Sequence, residues 1–252
     1  MINNGVSAQV PRLMLKASLL ILAVMFSVRP SYADREAKKS SDAMVASAFL
    51  VAPGYLITAN HAIKDKKKLF VAAERDGTFT AAKVVGFSED LDVALIRASV
   101  KGTSMTIGHW HTFPRGSETY VIGFPKIGKL VSEKRITAGI YNGEQRFGSR
   151  HDWFQLSAEI HKGNSGSPVI GADGKVYGVI SHKLDAQQMA KKHGELPQNV
   201  NFALKSSKLM EFLAMYDVSI GSGSFNANAF DRPLEIFQKY ETSIFLLLGT
   251  NR

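Results

Sequence analysis

The chain has 252 residues, of which 45% are hydrophobic and 21% charged, with a formal net charge of +9 and no cysteine. This composition suits a globular domain with a sizeable core, and it excludes collagen-like or low-complexity chains and any fold stapled by disulfides. The positive balance is mild, and its densest run, Lys64-Asp65-Lys66-Lys67-Lys68, has no interleaved aromatic residues. It therefore reads as a solvated loop, with no nucleic acid as partner.

Arg12 and Lys16 precede an apolar run, Ala17 to Val28, and Ser31-Tyr32-Ala33 follows as a small-x-small site. A run of roughly 12 residues suits a signal-peptide core and is short for a membrane span. The order of these features predicts a signal peptide over 1–33 and an exported bacterial protein, periplasmic or secreted, with no stable membrane span once it is cut. Residues 34–44 are polar and charged and read as a linker.

From there, short apolar stretches recur between Gly, Pro and Asp, as in an all-β domain. The first series comprises Ala46–Val51, a Pro53-Gly54 turn, Tyr55–Thr58, Leu69–Ala73, Ala82–Phe87 and Val93–Ile96. The second comprises Glu118–Ile122, Lys129–Gly139, Trp153–Ser157, Pro168–Ile170, Val176–Ile180 and Asn199–Ala203. Ser206–Tyr216 has helical spacing, with Ser206 as its expected cap. The pattern predicts two packed β-barrels, lobes at about 45–112 and 113–216, and a short C-terminal helix. Residues 217–252 form a tail whose apolar run, Ile244–Leu248, is open to reading as an added strand, a docking segment or disorder.

Three segments carry chemistry. In Gly163-Asn164-Ser165-Gly166-Ser167-Pro168, glycines flank a serine, as an exposed nucleophile on a tight turn requires. The amides of Gly163 and Ser165 would form an oxyanion hole. The alternative is an ordinary turn between strands. His61 follows the apolar strand Tyr55–Thr58, where a base would be held rigidly. Asp92 abuts the strand Val93–Ile96, so its carboxylate is expected to be partly buried and to need a partner, which a histidine N–H supplies. Asp90 competes with it but stands farther from the strand. The order His, Asp, Ser is that of chymotrypsin-type enzymes; the serine turn lacks the second glycine of an α/β-hydrolase elbow. His109-Trp110-His111 could place two imidazoles on one face of a strand, but no carboxylate or cysteine stands at ligand spacing, so a surface strand is expected and no metal or cofactor.

The segments GYLITANHAI, DLDVALI and AEIHKGNSGSPVI resemble trypsin-like bacterial serine proteases, most nearly the protease domain of the HtrA/Deg type. VIGFPKIGKLV, RITAGI and QNVNFAL are similar to other stretches of those proteins. Gly166-Ser167-Pro168 instead resembles glutamyl endopeptidases. The resemblance implies two six-stranded barrels and a serine endopeptidase acting on protein or peptide substrates through an acyl-enzyme. His61 is then the base, Asp92 its orienter and Ser165 the nucleophile. It also implies substrate-binding walls at Glu159, Ile160, Ile180, Ser181 and His182, with an apolar or small P1 residue. A catalytically silent or partner-activated binding protein and an esterase on the same fold are the alternatives. Oligomeric state is not legible.

Overall fold

The computed structural model describes residues 43–75, 77–127, 130–131, 133–147, 150–181, 200–220 and 232–251. The expected signal peptide lies outside the described residues, as does most of the linker.

Two closed antiparallel barrels of six strands each make up the fold. The first contains β1 (Met44–Ala52), β2 (Tyr55–Thr58), β3 (Lys68–Ala72), β4 (Thr80–Ser88) and β5 (Val93–Ala98). The second contains β6 (Glu118–Gly123), β9 (Arg135–Phe147), β10 (Arg150–Leu156), β11 (Pro168–Gly171), β12 (Val176–Ile180) and β13 (Asn201–Lys205). Between β6 and β9, a small separate pair is formed by β7 (Lys126–Ile127) and β8 (Leu130–Val131). Helix α1 (Asn60–Ile63) follows β2, α2 (Ser206–Ala214) follows β13, and α3 (Arg232–Tyr240) precedes β14 (Ile244–Thr250).

β1 shows why the barrels pack as they do. Successive strand residues face opposite sides. Ala46, Ala48 and Leu50 fill the first barrel with Leu56, Ala94, Ile96 and Leu247. Phe49 and Val51 point the other way, into a core shared with Ile122, Ile170 and Val179 of the second barrel. A strand buried on both faces reads as a continuous apolar run, which explains why VASAFLVA lacks polar alternation.

The sixth strand of the first barrel comes from the far end of the chain. β14 pairs antiparallel with β1 on one side and β3 on the other. Phe245 and Leu247 enter the first barrel, whereas Ile244 and Leu246 join the shared core. Helix α3 holds this return: Ile236 and Tyr240 are buried in the shared core, and the Tyr240 hydroxyl donates to Gly174 O at 2.7 Å. Burial pushes the Tyr240 phenol up to about 12, with the negative charge of Asp173 contributing. Arg232 pairs with Glu118 of β6. Residues 232–250 of the tail are thus part of the fold, and the first barrel extends beyond 45–112.

Two local expectations are corrected. Ser206 does not cap α2: Lys205, still extended and paired in β13, occupies the cap position, and no side chain bonds there. His109-Trp110-His111 is not a strand. Residues 110–112 form a 3₁₀ turn because the Trp110 ring turns in against Phe113, Tyr141 and Phe154. Among the described residues no group of acidic, histidine or cysteine side chains could hold a metal, and no helix is long and apolar enough to cross a membrane.

Leu247 is fully buried and Leu234 of α3 is 55% exposed. Leu247→Ala is expected to cost about 2–5 kcal/mol in urea unfolding, and Leu234→Ala no more than about 0.5 kcal/mol.

Candidate active site

His61 is presented by the passage from β2 into α1. Ala59 is still extended, and His61 is the second residue of the helix. Its backbone N–H donates to Asp92 Oδ1 at 2.9 Å, and its ring Nδ1 lies 2.8 Å from Asp92 Oδ2. A carboxylate accepts, so Nδ1 carries the proton and Nε2 the basic lone pair, an assignment made from the hydrogen-bond partner. The Asn60 N–H donates to the Asp92 carbonyl at 3.2 Å. The Ser181 hydroxyl donates to Asp92 Oδ2 at 2.5 Å. Asp92 is only 5% exposed, whereas Asp90 is at the surface.

Asp92 also has a left-handed backbone, with φ 52°. Such a conformation is uncommon outside glycine, although aspartate tolerates it better than most residues. Bonds to both its carbonyl and its carboxylate hold it there. Burial by itself would raise the carboxyl pKa. The hydrogen bond and charge of His61, together with the Ser181 hydroxyl, outweigh it and hold Asp92 below its ordinary 3.8.

Ser165 lies on a turn of the second barrel that is braced on all sides. Asn164 N–H donates to His161 O at 3.1 Å, and Ser167 N–H donates to Asn164 O at 2.9 Å. Gly166 N–H donates to Ile180 O at 2.8 Å, and Ile180 N–H returns a bond to Ser167 O at 2.9 Å. Gly163 and Gly166 have φ of +95° and +83°. A Cβ on Gly166 would stand 2.3 Å from Ser47 O and 2.7 Å from Ala59 N. One on Gly163 would stand 2.3 Å from Phe124 O. Glycine is required at both by conformation and by space.

That contact locates the turn. Gly166 touches the backbone two residues before His61, and Ser181, next to the Ile180 that braces the turn, holds Asp92. The peptide planes are set as well. Lys126 N–H donates to Lys162 O at 2.5 Å, and Ser167 holds Asn164 O. In a trans peptide the N–H points opposite to its C=O. The N–H groups of Gly163 and Ser165 are therefore oriented by the bonds on the carbonyls that precede them.

Of the residues expected as substrate walls, Ser181 has its hydroxyl on Asp92. Ile180 is buried inside the second barrel, and its N–H and C=O both serve the serine turn. Ile160 is half-buried against the same cluster, and Glu159 is exposed with Oε1 2.9 Å from His161 Nε2. His182 lies outside the described residues. The sequence reading missed Ser47, which touches this turn from the first barrel; its one signal was a polar residue in a strand apolar on both faces.

A family model described as a trypsin-like peptidase domain matches residues 46–179, more than half of the chain. The chain belongs to the trypsin-like peptidase family. Its similarity within that family is to HtrA/Deg-type proteases. It is 30% identical over 151 residues to a probable periplasmic serine endoprotease, DegP-like, of Chlamydia pneumoniae, covering 58% of this chain and 30% of that protein. An uncharacterized protein, y4bJ, of Sinorhizobium fredii is 33% identical over 186 residues, 73% of this chain and 29% of that one. The solved structure of the HtrA-type protease AlgW with a decapeptide aligns with a TM-score of 0.54 and 28% identity, covering 68% of this chain and 52% of that one. The chain spans about a third of the length of the curated relatives it matches.

The sign of the Asp92 shift gives a pH dependence. Its folded-state pKa lies below the unfolded value, so its pairing stabilises the fold above the ordinary 3.8 and is lost as pH falls through the lower folded value. Asp92→Asn is therefore expected to be destabilised relative to wild type near neutrality, with the gap closing in acid. Chemical denaturation across that range checks it.

Proposed function

We propose that this protein is an exported serine endopeptidase that cleaves peptide bonds through an acyl-enzyme, with His61 as general base, Asp92 as its orienter and Ser165 as nucleophile. The observation that carries the reading is the buried Asp92 carboxylate bonded to both the amide and the ring of His61, with the glycine-flanked Ser165 turn packed against the same segment.

In this mechanism His61 Nε2 takes the Ser165 hydroxyl proton as Oγ attacks the substrate carbonyl. The negative charge that develops on the carbonyl oxygen is met by the N–H groups of Gly163 and Ser165. Such preset donors cost no reorganisation at the moment of reaction. The imidazolium, stabilised by Asp92, returns its proton to the leaving amine, and a water activated by the same nitrogen releases the acyl group. Because Asp92 receives two bonds from residue 61 and one from Ser181, the ring is held in one tautomer and orientation. Apart from substrate and that water, each step uses only side chains and backbone amides of this chain, and no cofactor enters it.

Protein or peptide substrates are favoured by likeness to AlgW, whose structure holds a decapeptide. Export to the periplasm is favoured by the leader-like N-terminus and by the DegP-like relative. Glu159 and Ile160, with His182, remain the proposed substrate contacts, and Ile160 favours an apolar P1 residue.

The test uses protein beginning at Asp34. A fluorophosphonate adduct on Ser165 is expected, absent in Ser165→Ala, together with casein hydrolysis that the substitution abolishes. Asp92→Asn should lower kcat by about 10⁴ with the adduct formed correspondingly slowly. A folded wild-type protein that neither takes the probe nor cleaves casein would refute the reading and favour a silent or partner-activated binding protein.

A further inference from the structure

Ser47 occupies the face of β1 that turns toward the second barrel, the face otherwise lined by Phe49 and Val51. It is completely buried. A hydroxyl in such a place is costly unless its hydrogen bonds are made, and here they are. Ser47 Oγ donates to Gly163 O at 2.8 Å and accepts from Phe124 N–H at 2.9 Å. The Ser47 N–H donates to Ser165 O at 2.9 Å, and its carbonyl accepts from Thr58 Oγ1 at 2.8 Å.

One residue of the first barrel thus grips the serine turn on both sides of Asn164 and is itself tied to the strand end that leads into His61. The consequence concerns Gly163. A glycine at φ +95° has no side chain to oppose rotation of its peptides. The peptide before it is held through Lys162 O by Lys126, and the one after it through Gly163 O by the Ser47 hydroxyl. The Gly163 N–H belongs to the first of these peptides and the Ser47 bond fixes the second, so Gly163 is held from both sides and neither peptide turns about it without breaking a bond.

We infer that Ser47 is a positioning residue for the oxyanion site, its hydroxyl fixing the peptide after Gly163, which together with the Lys126 bond sets where the Gly163 N–H stands, and its backbone fixing Ser165 relative to His61. The inference rests on the serine endopeptidase reading. It makes part of the catalytic geometry of one barrel a property of the other, through a contact 116 residues apart in the chain.

The experiment compares wild type, Ser47→Ala, Ser47→Cys and Ser243→Ala. The last is a matched control: Ser243 is also a buried hydroxyl, bonded to Thr103 O at 2.6 Å and distant in role from the serine turn. Turnover is measured on a peptide substrate, alongside affinity for a peptide boronate, which forms a tetrahedral adduct on the serine. Affinity for the uncleaved peptide is measured with each substitution placed in Ser165→Ala. Ser47→Ala is expected to lower kcat by about 10–10² with KM changed by no more than about threefold. Boronate affinity should fall in proportion to kcat, as it does when a transition-state contact is lost, while peptide affinity holds. Ser47→Cys should recover part of the loss, and Ser243→Ala should keep wild-type kcat.

Unchanged kcat in Ser47→Ala, or a loss shared by Ser243→Ala and by ground-state peptide affinity, overturns the inference. If Ser47→Ala does not fold, Ser47→Cys decides by the same criteria. Failure of the endopeptidase reading itself is seen separately, as wild-type protein that takes no fluorophosphonate. In that case amide exchange at Gly163 and Ser165 decides: faster exchange in Ser47→Ala but not in Ser243→Ala supports the lock, and equal exchange overturns it.

Discussion

A carboxylate that is nearly sealed from water must be fully bonded or it will not stay charged, and Asp92 meets that condition through partners from two barrels. His61 supplies a ring N–H and a backbone N–H from the first barrel; Ser181 supplies a hydroxyl from the second. The arrangement holds the aspartate in its left-handed conformation. It also means that the carboxylate that fixes the His61 tautomer is supported from both barrels. The proposed chemistry is therefore a consequence of interdomain packing as much as of the three side chains.

The packing is achieved by strands that have no solvent face. β1 serves the interior of the first barrel with its alanines and leucine and the shared core with Phe49 and Val51. Ser47 is the exception on that second face, and its four hydrogen bonds reach the serine turn, Phe124 and Thr58. Apolar contact brings the barrels together without specifying a register. Directional bonds at Ser47, Asp92 and Gly166 supply it.

Closure of the first barrel by β14 adds a constraint on folding. Its pairing with β1 and β3 joins residues roughly 175–205 apart in sequence, a contact formed only after long loop closure. The first barrel closes only once β14 has paired, and α3, which precedes it, is anchored to the second barrel through Tyr240 and Arg232. The His61–Asp92 pair, carried by α1 and the loop before β5, is thereby linked to the last strand of the molecule.

Much of this was legible in the sequence because it is local. Strand periodicity and turn residues located β2 and β12 to the residue, and the burial demanded by the strand after Asp92 singled it out from Asp90. Glycines at 163 and 166 announced a turn that no other side chain could make. Tertiary structure alone decided the rest. Ile244–Leu248 could have been a strand, a docking segment or disorder, since an apolar run of five residues does not name its partner; the open edges of β1 and β3 do. That the Ser181 hydroxyl bonds Asp92, 89 residues away, was not legible in the strand that precedes it. Ser206 looked like a cap until β13 ran straight into the helix. Composition and spacing encode what a segment prefers, whereas the partner of a buried hydroxyl or an unpaired strand edge is set by which distant residues the closed barrels bring within hydrogen-bonding distance.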